Sequence, residues 1–326
     1  MKTRLFNKTG VQVSEIGLGC WQLGGSDWGN VDDQSAFDIL SAAVEAGVDF
    51  FDTADVYGGG RSEKLIGQFL KTRGEKIFTA TKLGRMGIYP DKYTRDTLRA
   101  ATESSLKNLG VDCLDLTQLH CVPVEELRKG DVFQWLAEQK HEGKIRNYGA
   151  SVETMEQAKI CLGHDGLSSL QIIFNIFRQN PADEIFETAL AKKVAIIVRL
   201  PLASGLLSGK MTKETRFPEN DHRNYNRDGQ HFSVGETFGG IPYEKGVELA
   251  DALKPLVPAG MTMAQMAQRW ILDHEAVSTV ITGVSRVAQV GANASASELP
   301  PLDAKLRASL RDFYGKEVKQ YIRGEY

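Results

Sequence analysis

Three successive apolar segments of the sequence each end in an ionisable residue: Val48–Asp52, Lys76–Lys82 and Cys113–His120. Tyr57 follows the first of these ends by five positions. A carboxylate, an ammonium group, an imidazole and a phenol can exchange protons with a reactant if they are brought together. Each of them alone also has a structural explanation, because structural polar residues outnumber catalytic ones. Their joint occurrence at consecutive segment ends favours a catalytic site.

The apolar segments alternate with amphipathic stretches, which predicts strands interleaved with helices. The expected strands are Glu15–Cys20, Val48–Asp52, Lys76–Lys82, Cys113–His120, Asn147–Ser151, Leu170–Asn175, Val194–Leu200 and Ser278–Thr282. The expected helices include Gln34–Ala46, Ser62–Thr72, Thr94–Leu109, Val132–His141, Glu153–Leu162, Glu184–Lys192 and Thr262–Leu272. This alternation is typical of parallel strands joined by crossover helices.

Eight such units favour a closed barrel, although an open doubly wound sheet would give a similar pattern. No G-x-G-x-x-G fingerprint of a doubly wound dinucleotide-binding domain follows a predicted strand, and the dense glycine run Gly58–Gly60 lies beyond an Asp-rich segment. We therefore predict an α/β fold, a (β/α)8 TIM barrel that forms a single catalytic domain over residues 1–326. In such a barrel the strand ends converge on the C-terminal face, where they would bring the four candidate residues together.

Two segments depart from the alternation. Residues Leu5–Val13, with a turn at Lys8–Gly10, are predicted to form a β-hairpin ahead of the barrel. Residues 203–242 form a long loop after the seventh barrel strand, rich in Gly, Asn, Asp and Arg. A loop of that length inside a compact domain is usually functional.

Composition bounds the expected partners and location. The formal net charge of -3 gives no indication of a nucleic-acid or anionic-membrane partner, and no apolar run approaches the length of a membrane span. Residues 1–20 contain no apolar core of a signal peptide. The four cysteines have neither a CxxC pair nor a zinc-like spacing with histidine, so we expect free thiols, no metal site and a cytoplasmic location.

The string Asp52–Gly58, which reads Asp-Thr-Ala-Asp-Val-Tyr-Gly, together with Thr81–Lys82 and Gln118–His120, resembles the aldo-keto reductases. The resemblance runs along the whole chain in order and also includes Gly17–Gly19, Gly149–Ser151, Gln171–Asn175, Pro201–Gly209 and Ile281–Asn293. The chain is similar to bacterial members that act on sugars and small aldehydes. The resemblance implies hydride transfer between a nicotinamide cofactor and a small aldehyde, ketone or sugar.

The resemblance implies a catalytic role for each of the four residues. Tyr57 would be the general acid that protonates the carbonyl oxygen, and Lys82 would lower its pKa from the ordinary value of ~10. Asp52 would keep Lys82 charged and oriented, while His120 would position the substrate carbonyl.

The resemblance also implies NADP(H) as the cofactor, preferred over NAD(H), and a set of residues that contact it. Ser151, Gln171 and Asn175 would surround the nicotinamide carboxamide, and the loop that begins at Leu202 would follow the pyrophosphate. The implied contact residues are Gly19, Cys20, Trp21, Ser151, Gln171, Arg199, Leu202, Ser204, Gly205, Leu206, Gly283, Ser285, Arg286, Gln289 and Asn293.

Departures from the family's pattern affect this expected cofactor site. Arg199 stands where many relatives stack an aromatic ring on the nicotinamide; a guanidinium can stack too, but its charge should disfavour the oxidised cofactor. The alternative is a strand-end arginine that faces solvent. Val152 replaces an asparagine, which removes one expected carboxamide contact. Gly283 and Val284 replace lysine and serine, so Arg286 is the only cation expected at the 2′-phosphate and the NADP preference should be modest.

Residues that follow strand ends are candidates for a substrate pocket with aromatic walls, and at least two of them are expected to be ordinary packing residues: Trp21, Trp28, Tyr89, Phe177 and Arg178. Two other functions stay open. The resemblance extends to auxiliary β-subunits of voltage-gated potassium channels, which bind cofactor and a partner protein but usually carry extra N-terminal sequence. A barrel lyase without nicotinamide would need a metal or Schiff-base site that the sequence does not supply.

Overall fold

The structure is a computed structural model that describes residues 1–25, 27–28 and 31–326. Within these ranges the strands are β1 (Thr3–Leu5), β2 (Gln12–Ser14), β3 (Ile16–Gly19), β4 (Phe50–Asp52), β5 (Phe78–Leu83), β6 (Leu116–His120), β7 (Tyr148–Ser151), β8 (Ser169–Ile173), β9 (Ala195–Arg199) and β10 (Val277–Gly283). Strands β3 to β10 correspond to the predicted barrel strands. Strands β1 and β2 form the predicted antiparallel hairpin.

The helices in the same ranges are α1 (Asp33–Glu45), α2 (Arg61–Lys71), α3 (Arg95–Leu109), α4 (Val124–Lys129), α5 (Asp131–His141), α6 (Met155–Leu162), α7 (Asn180–Glu184), α8 (Phe186–Ala191), α9 (His222–Tyr225), α10 (Tyr243–Leu253), α11 (Met263–Leu272), α12 (Val287–Ala294) and α13 (Ala304–Phe313). The predicted helix Glu184–Lys192 is interrupted because Ile185, with φ -123° and ψ -41°, leaves the helical region. No helix of the described ranges has the length and apolar character that crossing a membrane requires.

Strands β3 to β10 close into a barrel in which every neighbouring pair is parallel. The ring is completed by pairing β10 with β3, where Gly283 lies opposite Gly19. The register also places Asp52 beside Gly19, and His120 beside Ser151. The predicted (β/α)8 barrel is confirmed, and an open doubly wound sheet is excluded.

Threonine caps fix where several helices begin above the barrel. Thr94, Thr154 and Thr262 each accept a hydrogen bond from the backbone N–H three residues later, and the side chain at that later position binds the threonine N–H in return. A cap of this kind stabilises a helix by about 1 kcal/mol. The loops that join these helices to the preceding strands therefore have defined ends.

The hairpin closes the N-terminal end of the barrel. The ring of Phe6, which follows β1, lies 5.6 Å from that of Phe50 and 5.2 Å from that of Phe78, measured between ring centroids. Phe50 and Phe78 are the first residues of β4 and β5. The buried cluster they form fills the barrel with apolar side chains, namely Phe6, Val13, Phe50, Phe78, Ala80, Leu116, Ala195, Ile197 and Ile281.

The long segment 203–242 contains short helical turns and is tied to the loop after β3. Asp27 accepts hydrogen bonds from Trp21 Nε1 at 3.1 Å and from Tyr225 Oη at 2.8 Å. The ring of Trp28 packs on His222 at a centroid distance of 4.2 Å. These contacts hold the segment over the C-terminal end of the barrel.

Candidate active site

The predicted catalytic residues meet at the C-terminal end of the barrel. Lys82 donates from Nζ to Asp52 Oδ2 at 2.6 Å and to Tyr57 Oη at 3.2 Å. It also donates to the carbonyl oxygen of Thr53 at 2.8 Å, so each N–H bond of the ammonium group has an acceptor. The ring of His120 stands edge-on to that of Tyr57, with centroids 6.0 Å apart and an interplanar angle of 89°.

At neutral pH Lys82 is charged and Tyr57 is neutral, as proton donation by Tyr57 requires. Burial favours a lower pKa for Lys82, but the Asp52 carboxylate and the Tyr57 phenol outweigh burial and raise that pKa above 10.5. Burial raises the pKa of Tyr57 to about 12, and the Lys82 charge opposes this only in part. The net direction is opposite to the lowering that the resemblance implied, because desolvation of the phenolate dominates. At neutral pH the site holds a protonated phenol beside an ammonium group.

His120 is a neutral imidazole in the wall of the site. Burial, followed by the positive charges of Lys82, Arg85 and Arg199, lowers its pKa well below 6.5. Its Nδ1 is buried and has no hydrogen-bond partner among the described residues. A neutral imidazole carries one donor and one acceptor nitrogen, so the ring can hydrogen-bond a polar ligand without adding charge.

Two glutamine amides hold the carboxylate of Asp52 from the side opposite Lys82. Nε2 of Gln171 donates to Asp52 Oδ1 at 2.7 Å, and Nε2 of Gln118 donates to the same atom at 3.2 Å. Gln171 was expected at the carboxamide, and its Oε1 accepts only a long bond of 3.4 Å from Ser151 Oγ. The sequence analysis assigned no role to Gln118, although its place two positions before the end of β6 puts it on the same face as that strand's last residue.

A cavity of about 720 Å³ opens above these residues and extends to the start of α12. Its volume is within the range of small-molecule and cofactor sites. Tyr57, Asp52 and His120 form part of its wall. Most of the predicted contact residues line it as well: Gly19, Cys20, Trp21, Trp28, Ser151, Gln171, Arg199, Leu202, Ser204, Gly205, Gly283, Ser285, Arg286, Gln289 and Asn293.

Two predicted contact residues, Leu206 and Tyr89, lie outside the described wall of the cavity. Leu206 is fully buried and packs against Gly246 of α10, where an added Cβ would meet its Cδ1 at 2.5 Å. Tyr89 is 48% exposed, and its ring carries the guanidinium of Arg85 at 5.1 Å from the centroid.

Phe177 and Arg178 are also outside the described wall of the cavity, and both are buried. The chain turns back after β8 through backbone hydrogen bonds between Asn175 and Arg178. The guanidinium of Arg178 then lies 4.0 Å from the ring centroid of Tyr326 and donates to the Glu325 carbonyl oxygen at 3.2 Å. Asn175 accepts the Phe177 N–H at 2.9 Å, so its amide holds this turn instead of lining the cavity.

Arg199 is buried in the cavity wall and does not face solvent, which excludes the alternative position. Its NH1 pairs with the carboxylate of Glu236, and its NH2 donates to the Val152 carbonyl oxygen at 2.9 Å. Its Nε is buried and has no hydrogen-bond partner within the described part of the chain. The predicted position beside the cofactor site is therefore occupied by an ion pair.

Arg85 and Glu153 form a second ion pair close to this one. The guanidinium of Arg85 lies 3.4 Å from Glu153 Oε1, and the ligand atoms of Cys121, Glu153 and Glu236 lie within 4.8 Å of one another. Since both carboxylates already face guanidinium groups, the cluster is better suited to an ion-pair network than to a cation. Arg85 and Glu236 were not among the residues predicted to line the site. Arg85 carried a signal, because it follows Lys82 by three positions at a strand end.

The loop after β9 is strained where it meets the cavity. Leu200, Ala203 and Ser204 have φ values of 52°, 46° and 55°, each of which costs about 1–3 kcal/mol for residues with a side chain. Ser204 Oγ accepts the Phe238 N–H at 3.1 Å and donates to the Glu236 carbonyl oxygen at 3.3 Å. These contacts hold the loop in a conformation that turns it along the cavity.

The opposite end of the cavity meets the start of α12. Oε1 of Gln289 accepts the N–H groups of Ser285 at 2.8 Å and Arg286 at 3.1 Å. The backbone donors predicted to receive a phosphate are therefore capped by a side chain. Arg286 is exposed, and Lys210, to which the sequence analysis gave no role, lines the same cavity and supplies a second cation.

Aromatic side chains of the cavity wall pack around Tyr57 and Trp21. Trp21 stacks on Tyr57 with a centroid distance of 5.8 Å and an interplanar angle of 15°. Trp28 meets Trp21 edge-on at 5.6 Å, and Phe232 meets it at 6.2 Å. Trp21 and Trp28 occupy the predicted place, whereas Phe232 and Tyr225 come from the long segment, where no pattern indicated them.

The chain is similar to proteins of one known family. A family model described as aldo/keto reductase matches residues 15–314. The chain is 31% identical to aldo-keto reductase YhdN of Bacillus subtilis over 87% of its length and 85% of the relative's. It is 27% identical to a probable voltage-gated potassium channel subunit beta of Arabidopsis thaliana, with 93% of each chain covered. A glycerol dehydrogenase of Gluconobacter oxydans superposes with a TM-score of 0.77 at 27% identity, over 97% of this chain and 96% of that one. The chain therefore belongs to the aldo/keto reductase family, whose members are oxidoreductases that act on carbonyl or alcohol groups with a nicotinamide cofactor.

Proposed function

We propose that the protein reduces aldehydes, ketones or sugars to alcohols, or catalyses the reverse reaction, with NADP(H) as cofactor. The observation that carries this proposal is the hydrogen bond from Lys82 Nζ to Tyr57 Oη, made at a cavity wall that also contains His120. A protonated phenol beside an ammonium group is suited to protonate a carbonyl oxygen.

Each residue of the site has one task in this proposal. Tyr57 gives its phenolic proton to the carbonyl oxygen, and Lys82, at 3.2 Å, stabilises the phenolate that remains. Asp52 keeps Lys82 charged, consistent with the raised pKa of the ammonium group. His120, held neutral, hydrogen-bonds the same carbonyl oxygen and orients it. In alcohol oxidation the phenolate accepts the proton instead.

The cavity fits a nicotinamide cofactor, which when bound supplies the hydride. Polar atoms in its wall are buried without a partner among the described residues: Gln22 Oε1, His120 Nδ1 and Arg199 Nε. Such atoms are suited to bind a polar planar group. Ser151 and Gln171 would face the carboxamide end, and Ser204 and Gly205 the pyrophosphate.

We propose a modest preference for NADP(H) over NAD(H). Arg286 at the start of α12 and Lys210 of the segment 203–242 are two cations in the wall of the cavity. For the 2′-phosphate to reach the N–H groups of Ser285 and Arg286, the side chain of Gln289 has to give up its present hydrogen bonds. That exchange reduces the gain from the phosphate.

The substrate pocket would have an aromatic side and a charged side. Trp21, Trp28 and Phe232 provide apolar faces, whereas Arg85 and Glu236 provide hydrogen-bonding groups. This combination suits a small carbonyl compound that carries hydroxyl groups.

A cofactor-binding regulator is the second candidate, because the chain is also similar to a channel subunit. The complete hydrogen-bonded set around Lys82 favours catalysis, since binding alone does not need a proton donor.

We also propose that residues 1–326 form a single catalytic domain. The cysteines, which are free in the described structure, support a reducing location such as the cytoplasm.

The proposal is tested by following NADPH absorbance with a panel of aldehydes, aldoses, pyridoxal and keto-steroids. We expect turnover with at least one class, and in a Tyr57→Phe control cofactor binding with turnover lowered by ~10²-fold or more. NADPH binding without turnover by the wild type would favour the regulator. A wild type that binds no nicotinamide cofactor would contradict both functions.

A further inference from the structure

The ion pair of Arg199 and Glu236 joins the barrel to the long segment 203–242. Their side chains are 10% and 13% exposed, and both residues line the cavity. Arg199 ends β9 and is also anchored to the Val152 carbonyl oxygen at 2.9 Å. The guanidinium is therefore fixed by the barrel, while the carboxylate that neutralises it comes from the segment above.

Glu236 is held in this place by its own backbone. Ser204 Oγ donates to the Glu236 carbonyl oxygen at 3.3 Å and accepts the N–H of Phe238 at 3.1 Å. The carboxylate thus has a defined position relative to the loop that lines the cavity. The position of the segment 203–242 therefore places the carboxylate where it neutralises Arg199.

The charges of this pair reach the reacting groups. Arg199 is among the charges that lower the pKa of His120, and Glu236 is among those that raise the pKa of Tyr57. A hydride donor has to lie about 3–3.5 Å from the carbonyl carbon, while the carbonyl oxygen lies within hydrogen-bond reach of Tyr57. A nicotinamide ring at this site therefore lies within the Coulombic range of both members of the pair.

We propose that Glu236 sets the relative affinity of the site for the oxidised and the reduced cofactor by neutralising Arg199. This inference rests on the proposed function. The reduced nicotinamide ring is neutral, and the oxidised ring carries one positive charge. An unpaired Arg199 repels the oxidised ring but leaves the reduced ring almost unaffected. Glu236 is thus a specificity residue for the oxidation state of the cofactor.

The other charges near the pair make Glu236 decisive. Arg85 and Arg178 also lie close enough to influence its carboxyl group, and Glu236 in turn influences the carboxyl group of Glu153. Without Glu236, three guanidinium groups would face the single carboxylate of Glu153. The local charge would then be strongly positive, in a wall where buried charges are poorly screened.

The test is a pair of binding titrations, of NADPH and of NADP⁺, to the intact protein by tryptophan fluorescence or calorimetry. In Glu236→Gln we expect the dissociation constant of NADP⁺ to rise about tenfold more than that of NADPH, the order expected for losing one charge at close range. Glu236→Asp keeps the charge and should retain most of the wild-type ratio. Equal weakening of both forms, or an unchanged ratio, would overturn the inference.

Arg199→Gln should shift the ratio of the two dissociation constants in the opposite direction. It leaves the Glu236 carboxylate unpaired, so NADP⁺ should bind more tightly relative to NADPH than in the wild type. A purely structural role for the pair would shift both dissociation constants together, and this result would also overturn the inference. The titrations distinguish a failure of the proposed function from a failure of this inference. A wild type that binds neither form contradicts the proposed function, whereas binding with unmoved ratios contradicts this inference alone.

Discussion

The two ends of the barrel are built from different side chains carried by the same strands. At the N-terminal end, Phe50 and Phe78 begin β4 and β5 and pack on Phe6 of the hairpin. At the C-terminal end, the same strands carry Asp52 and Lys82, joined at 2.6 Å below the cavity. In β4, Phe51 alone separates Phe50 of the aromatic plug from Asp52 of the ion pair.

This contrast separates stability from chemistry along each strand. Aromatic rings at the plug gain free energy from burial without needing specific polar partners. Buried charges at the other end are costly unless each one is paired. This explains why Lys82 has three acceptors and why the Asp52 carboxylate accepts three hydrogen bonds, from Lys82, Gln118 and Gln171. Substitutions at the plug should change unfolding, and substitutions above it should change turnover.

The largest expected effect is on stability, for Phe6→Ala at the plug. Phe6 is fully buried against two aromatic rings, so its truncation should lower the free energy of unfolding by about 3–5 kcal/mol. The turnover number of the folded fraction should stay near that of the wild type. Urea unfolding and assays below the transition would measure both. Leu5→Ala, at a neighbouring residue that is 47% exposed, is the matched control and should cost little. An equal loss for both variants would contradict the plug.

At the other end, Tyr57→Phe should lower kcat by ~10²-fold or more, because it removes the proton donor of the site. Its free energy of unfolding and its affinity for cofactor should stay close to wild-type values. Steady-state kinetics, urea unfolding and a cofactor titration check the three expectations. Near-normal turnover in this variant would show that the acid assignment is wrong.

The cofactor preference is expected to respond to Arg286. Arg286→Ala should weaken NADPH binding about tenfold and leave NADH binding nearly unchanged, because a charge-assisted contact to the 2′-phosphate is lost. Gly283→Lys should strengthen the preference, although its Cβ would meet Gln22 Nε2 at 2.3 Å and that side chain has to move. Fluorescence titrations measure both, with Lys305→Ala as an exposed-cation control. Equal losses for NADPH and NADH would mean that Arg286 supports the loop without contacting the phosphate.

The last expected effect is a pH dependence of stability from Asp55, which lies between Asp52 and Tyr57 in the chain. Burial, followed by the Glu63 carboxylate, raises the pKa of Asp55 from 3.8 to about 7. The folded state then holds this proton more tightly than the unfolded chain, so this contribution to stability falls as pH rises from about 4 to about 7. Asp55→Asn should flatten that slope in urea unfolding, whereas Asp91→Asn, at an exposed position, should not. The same slope in both variants would contradict the assignment.

The barrel, and the meeting of the four candidate residues at one of its ends, could be predicted because both depend on local patterns. The alternation of strands and helices can be recognised without knowing which distant residues are in contact. Asp52, Lys82 and His120 lie at or next to strand ends, which converge in any closed barrel. The functional roles came from the resemblance, not from the periodicity.

The remaining residues could not be predicted because their positions depend on distant parts of the chain. Glu236 reaches Arg199 from a segment without periodicity. Arg178 follows a strand end, as a pocket residue would, but a turn and the C-terminal Tyr326 bury it elsewhere. The raised pKa of Tyr57 reflects desolvation of its phenol by the surrounding fold, which neighbouring sequence does not reveal.

The central claim, that the C-terminal end of the barrel directs hydride transfer to a carbonyl carbon, is tested most directly with an isotope. NADPH deuterated at the hydride-donating position of its nicotinamide ring would be incubated with a substrate aldehyde, and the alcohol analysed by mass spectrometry. The account predicts one deuterium on the former carbonyl carbon with the wild type, and at least ~10²-fold slower labelling with Tyr57→Phe. Alcohol that forms without deuterium, or equal labelling by the variant, would contradict it.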